Sequence, residues 1–242
     1  MSKQRSWLAG ILAAVGMAVG MTAWYRKHLR PWMYRWGSTP EEYAGGLPGD
    51  DLVRAGAVRT TRSITIHAPA EAIWPWLAQI GEDRAGFYSY GCLERAAGAR
   101  IHDTYEIHPE WQSVAKGDTV WMARRYGRSA SQAVTAVAPG SHLILVSQDD
   151  FDKIESGEKA SGSWAFHLRQ HGPDTRLIVR GSGGAAGHAI FDVPHFVMEQ
   201  KMLRGIRDRA ELFRQDYVHP KFRITTDLTS RRVHRRSGTA AL

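Results

Sequence analysis

The apolar and polar positions divide the chain into stretches of different kinds. Trp7–Tyr25, WLAGILAAVGMAVGMTAWY, runs for 19 residues without a charged side chain. At about 1.5 Å of rise per residue, a helix of that length approaches the roughly 30 Å hydrocarbon core of a bilayer. Trp7 stands at one end and Trp24 with Tyr25 at the other, where amphipathic rings favour a membrane interface. A secretory signal usually closes on a small-x-small cleavage site. This run closes on Thr22-Ala23-Trp24-Tyr25 and then Arg26 and Lys27, so a retained transmembrane helix over residues 7–25 is the expectation. The absence of a polar face argues against a buried core helix. Gly16 and Gly20 have the spacing that lets two helices approach closely, but chance explains it in a span so rich in small residues.

Residues 26–50 read as a connector broken by Pro31, Gly37, Pro40, Gly45, Gly46, Pro48 and Gly49. Within it, Thr39-Pro40-Glu41-Glu42 predicts a short helix with Thr39 as its N-cap and acids in its first turn. Two readings of Trp32, Tyr34 and Trp36 stay open, a place at the membrane interface or packing on the domain. From Val58 to Ile66 the pattern alternates as in a half-buried strand, with Arg62 interrupting the apolar parity. Pro69–Ile80 has helical spacing of Ala72, Ile73, Trp76, Leu77 and Ile80, and Pro75 inside it should kink or break the helix. Arg84–Gly98 is aromatic and then helical, around Phe87, Tyr88, Tyr90 and Leu93.

Six further strands are predicted: Asp103–Ile107 on weak alternation, Asp118–Ala123, Gln132–Val137, Leu143–Ser147, Gly162–Arg169 and Thr175–Gly181. Trp164, Phe166 and Leu168 alternate with Ser163, Ala165 and His167. Phe196–Tyr217 is a long helix whose stripe is Phe196, Leu203, Ile206, Ala210, Phe213 and Tyr217, with Lys201, Arg204, Arg207, Arg209 and Arg214 mostly facing away. Residues 219–242 are polar and basic, and disorder is expected there. The order of elements predicts an α+β architecture, a curved antiparallel sheet of about seven strands around a long C-terminal helix, with an apolar space between them.

Composition agrees with a globular domain: 43% of the 242 residues are hydrophobic. The single cysteine, Cys92, excludes an internal disulfide framework and a cysteine zinc cluster. The net charge of +8 is unevenly placed. Residues 1–40 contribute +6 and residues 219–242 contribute +5, leaving −3 for the middle. A nucleic-acid-binding domain carries its own basic face, so no nucleic-acid partner is expected; basic tails suit anionic lipid headgroups. Arg26, Lys27, Arg30 and Arg35 after the span outnumber Lys3 and Arg5 before it, which places the domain on the cytoplasmic side of a single-pass membrane protein.

Ile73-Trp74-Pro75-Trp76-Leu77, Gly86-Phe87-Tyr88-Ser89-Tyr90, Pro109-Glu110-Trp111, Gly117-Asp118 and Phe196-Val197-Met198-Glu199, in this order of elements, resemble the SRPBCC superfamily of START-like, helix-grip proteins, and within it bacterial polyketide cyclase/dehydrase-like proteins. The resemblance covers roughly residues 37–215. It departs at Gly91-Cys92, where a more acidic or aromatic stretch is expected, and at Gly183-Gly184-Ala185-Ala186-Gly187 before the last helix, which implies a mobile pocket entrance. It implies a cavity for lipids, polyketides or other apolar molecules under the long helix. Candidates to line it are Phe87, Tyr88, Tyr90, Trp111, Trp164, Phe166, Met198, Met202, Leu203 and Ile206. The domain division is then a short basic N-terminus (1–6), the span (7–25), the connector (26–50), a START-like domain (51–218) and the basic tail (219–242).

Candidate chemistry is sparse. His102, Asp103, Glu106, His108 and Glu110 form a polar cluster in which a histidine beside carboxylates suits acid/base work; the bland alternative is a solvated strand edge with Trp111 behind it. Metal binding has no supporting spacing, and no metal or cofactor is expected. Tyr88 and Tyr90 either offer hydroxyls to a carbonyl ligand or pack in the core. Met198 and Met202 either form an adaptable wall or fill the core. Nothing brings a histidine to Cys92 as a nucleophile's base. No phosphate loop, dinucleotide fingerprint, kinase set or GxSxG elbow is present.

Three functions follow. The first is membrane-anchored binding of an apolar small molecule or lipid without covalent chemistry. The second is a polyketide cyclase or aromatase with Tyr88, Tyr90 or His102 as acid or base. The third is a membrane-tethered interaction module whose tails recruit a partner.

Overall fold

The computed structural model describes residues 2–184 and 186–218, with the backbone alone at 2–6, 8–12, 189 and 214–218. The basic tail at 219–242 lies outside the described residues. The chain begins with helix α1 (Ser2–Trp24), passes through a π-helical segment (Tyr25–Leu29) and continues as α2 (Arg30–Tyr34). The helix expected over Trp7–Tyr25 is thus present, but its reading as a membrane span is not upheld. Among the described residues no helix is long and apolar enough to cross a membrane.

The second helical segment packs on the domain. Met33 and Tyr34 are buried with Phe196, and the Trp32 and Phe196 rings lie 5.2 Å apart. The short helix α3 (Pro40–Ala44) starts as its sequence predicts: Thr39 Oγ1 accepts from the Glu42 N–H at 3.2 Å, and Glu42 Oε2 accepts from the Thr39 N–H at 2.9 Å. Next come β1 (Arg59–Ile66), α4 (Ala70–Ala78), α5 (Gly91–Ala96) and β2 (Thr119–Trp121). They are followed by β3 (Ser131–Ala138), β4 (His142–Ser147), α6 (Gln148–Glu155), β5 (Gly162–His171), β6 (Asp174–Gly183) and α7 (Ala189–Val218).

The sheet is antiparallel, with six strands in the order β1-β6-β5-β4-β3-β2. Register places Trp164, Phe166 and Leu168 of β5 opposite Gly181, Val179 and Leu177 of β6. These side chains share one face by the period of two, and Phe166, Leu177 and Val179 join the core with Leu203, Ile206 and Ala210 of α7. The opposite face is covered by residues 36–53, held by two arginines of β6. Arg180 donates to the carbonyls of Glu42, Tyr43 and Gly45 and pairs with Asp50 at 2.6 Å. Arg176 pairs with Glu42 at 2.7 Å and donates to the Gly37 carbonyl. This side-chain bonding satisfies carbonyls of a proline- and glycine-broken segment that has no ladder of its own.

Several expectations are corrected. Among the described residues there are six strands instead of about seven, because Asp103–Ile107 is irregular. Its polar groups are taken up by side-chain bonding: the Asp103 carboxylate accepts from the Tyr88 N–H, the Thr104 carbonyl from Arg209, and the Glu106 carbonyl from Gln79. Such bonds compete with a strand ladder. Pro75 sits inside α4 without ending it. The carbonyl that loses its donor belongs to Glu71, an exposed residue where water can serve. The polar helix α6 was not expected; Ser147 caps it by accepting from the Asp150 N–H at 3.1 Å. Arg209, grouped with the outward-facing basic residues, is buried, with its guanidinium 4.5 Å from the Tyr88 ring centroid and 3.9 Å from that of Tyr105.

Candidate functional site

A cavity of about 630 Å³ lies between the sheet, α5 and the first turns of α7. Its wall is mostly apolar, with Phe87, Ile101, Met122, Trp164, Met198 and Met202 prominent. Two half-exposed side chains, Tyr126 and His195, mark its rim. Gly181, Gly183, Gly184 and Ala186, on the strand end and glycine-rich turn, form another part of the wall.

The sequence-nominated residues divide. Phe87, Trp164, Met198 and Met202 line the cavity. Phe166, Leu203 and Ile206 are buried in the core behind it. Tyr88 is buried as well and donates its hydroxyl to the Trp76 carbonyl at 3.0 Å. It adopts a left-handed backbone conformation (φ 58°), and burial raises its phenol pKa. Helix α7 reaches this segment because position 205 is glycine. A Cβ there would lie 2.4 Å from the Tyr88 carbonyl oxygen. Tyr90 is exposed. Trp111 is partly buried and stacks on His108, with ring centroids 4.2 Å apart. His102 and Glu106 are exposed, and His108 pairs with Glu110 at 3.4 Å, so the polar cluster does not enter the cavity wall. Cys92 is a free, exposed thiol. Among the described residues, no group of His, Cys, Asp and Glu gathers as a metal site.

Three acids in the wall escaped the sequence reading. Glu199 is buried on α7 and is paired with Arg62, the residue that interrupts the apolar parity of β1 and is itself 0% exposed. Trp164 Nε1 donates to Glu199 at 2.8 Å, and Arg62 also meets Met33 O at 2.8 Å and His195 Nδ1 at 3.2 Å. Burial works to raise the Glu199 carboxyl, but the Arg62 guanidinium and His195 outweigh it and hold it below its ordinary value. Asp150 is similarly occupied. Burial opposes its ionisation, but the Ser161 hydroxyl at 2.6 Å and Lys153 at 2.9 Å help bring it to about 2.

Glu94 differs from both. It is 3% exposed, and neither carboxyl oxygen has a hydrogen-bond partner. Burial first, and then the Asp103 carboxylate, push its pKa up to about 7 against the opposing pull of Arg95. The position is set by the short helix α5, closed by the Ala99 N–H donating to the Glu94 carbonyl at 3.0 Å. Gly98 makes that closure, with φ at 91° and Tyr126 and Arg125 packed where a Cβ would stand. Apolarity misleads here: Leu93 is 43% exposed while its acidic neighbour is buried.

No protein-family model matches the chain, and no curated protein matches it. Solved structures with some likeness include protein Ms6760 from Mycobacterium smegmatis, 15% identical, covering 69% of this chain and 96% of that chain at a TM-score of 0.36. The Aha1 dimer from Colwellia psychrerythraea is 16% identical, covering 64% of this chain and 98% of that chain at a TM-score of 0.40. CalU16 from Micromonospora echinospora is 13% identical, covering 65% and 86% at a TM-score of 0.29. These likenesses lend no ligand or activity to this chain.

Proposed function

We propose that the chain is a START-like protein of the SRPBCC type that holds an apolar small molecule or lipid beneath α7 without covalent chemistry. The observation that carries this reading is the cavity itself: about 630 Å³, with a wall surface that is mostly apolar. Sites for small molecules run to roughly 300–1,000 Å³ with this kind of lining. The test is purification of the full chain from its native host, extraction with organic solvent and mass spectrometry. A stoichiometric apolar compound is expected, and its loss in a Met202→Trp variant that still folds. An empty, stable protein in repeated preparations would overturn the reading.

The cyclase alternative lacks comparable support. The Tyr88 hydroxyl is spent on the Trp76 carbonyl, and Tyr90 and His102 are exposed away from the cavity wall. Membrane attachment rests on a separate observation. Val15, Met17, Val19, Met21 and Trp24 stand exposed along α1, an apolar surface that invites lipid. The basic residues after Tyr25 suit the anionic headgroups of a cytoplasmic leaflet. Deleting residues 1–24 should move the protein from the membrane pellet to the soluble fraction; an unchanged distribution refutes attachment through α1.

A further inference from the structure

This inference rests on the cavity being the ligand site. Two of the acids in its wall are engaged inside the protein: Glu199 by Arg62 and Trp164, and Asp150 by Lys153 and Ser161. Glu94 has no such partners, although it is as deeply buried. A buried pair of acceptors without a donor is unfavourable unless a group from outside satisfies it. We infer that Glu94 is the polar anchor of the cavity, and that it selects an apolar molecule carrying a basic nitrogen, bound as the ammonium against the Glu94 carboxylate.

The charges around Glu94 favour a cation over the other polar groups. Asp103 adds negative potential from the irregular segment after α5, whereas Asp150 and Glu199 in the same cavity wall are balanced by Lys153 and Arg62. The nearby cations are committed elsewhere or exposed. His195 faces Glu199, Arg95 is on the solvent side of α5, and Arg125 lies against Gly98. A ligand carboxylate would meet the unpaired Glu94 with Asp103 behind it, while an alcohol offers a single donor to two oxygens. An ammonium offers three donors and neutralises the site. The apolar remainder of the ligand would occupy the space among Phe87, Met122, Trp164 and Met202.

Binding of decylamine, decan-1-ol and decanoic acid to the full chain, measured by calorimetry at about pH 5 and about pH 8, tests the assignment. Ionisation of a carboxyl titrating near 7 makes the amine bind roughly 100-fold tighter at the higher pH, while decan-1-ol shows no such gain. The Glu94→Gln variant should lose the pH dependence of amine binding and keep the alcohol affinity. Alcohol binding without any amine preference at about pH 8 overturns the role of Glu94 and leaves the cavity reading standing. Tightest binding by decanoic acid, or the same pH dependence in the variant, also overturns it. Failure of every probe to bind the wild-type chain overturns both the cavity reading and this one. The wild-type comparison does not depend on how well the variant folds.

Discussion

Replacing Glu94 by glutamine removes a group that titrates at different pH in the folded and unfolded chain. In the unfolded chain the carboxyl ionises at its ordinary value of 4.5; in the folded protein it ionises at about 7. Below 4.5 both states are protonated and the difference vanishes. As pH rises through this window, the unfolded chain releases its proton first, so ionisation favours unfolding. The loss is complete above the folded value. A shift from 4.5 to about 7 corresponds to about 3 kcal/mol at high pH, with about 1 kcal/mol already present at pH 5. The stability difference, Glu94→Gln minus wild type, should therefore grow by about 2 kcal/mol between pH 5 and pH 8. Urea denaturation of both proteins at the two pH values measures it. Glutamine brings its own buried amide, but that contribution does not change with pH and drops out of the comparison. A difference that stays flat across the window, or shrinks, refutes the premise that Glu94 is a desolvated and unpaired carboxyl.

Three other outcomes follow from the same structure. His167 is 3% exposed, and burial followed by His142 and Arg180 lowers its pKa from 6.5 to about 4. The folded state thus favours the neutral ring, and up to about 3 kcal/mol is lost as pH falls from 6.5 through 4; a His167→Gln variant should lose that much less on acid denaturation. Removing either partner of the Arg62–Glu199 pair leaves a buried charge and should cost about 3–5 kcal/mol, whereas the Arg62→Met, Glu199→Met double variant should cost less than the sum of the singles in a denaturation cycle. Asp192 on α7 accepts from Tyr25, Arg30 and Tyr34, so Asp192→Ala should cost about 1–3 kcal/mol and raise hydrogen exchange at residues 25–34 relative to β5.

Sequence alone determined the elements whose signal is local. Helix α3 announced itself through Thr39 and Glu42, because a capping box closes within four residues. Five of the six strands expected after β1 formed within a residue or two, because alternation reports which face is buried. The stripe Phe196, Leu203, Ile206 and Ala210 was legible for the same reason, as were Trp164 and Met202 as cavity candidates; Tyr217's side chain lies outside those described. Tertiary structure decided everything that depends on a distant partner. Arg62 looked like a fault in a strand until α7 brought Glu199 to it across 137 positions of chain. Arg180 of β6 finds its partners only because the 36–53 segment covers that face. Asp103–Ile107 had a strand's alternation, yet side chains from elsewhere took up its polar groups. Glu94 carried no signal, because burial of a carboxyl on so short a helix is set by which segments close over it. A period of two or 3.6 residues records the face an element turns inward. The charges that meet there are chosen by packing between segments far apart in the chain.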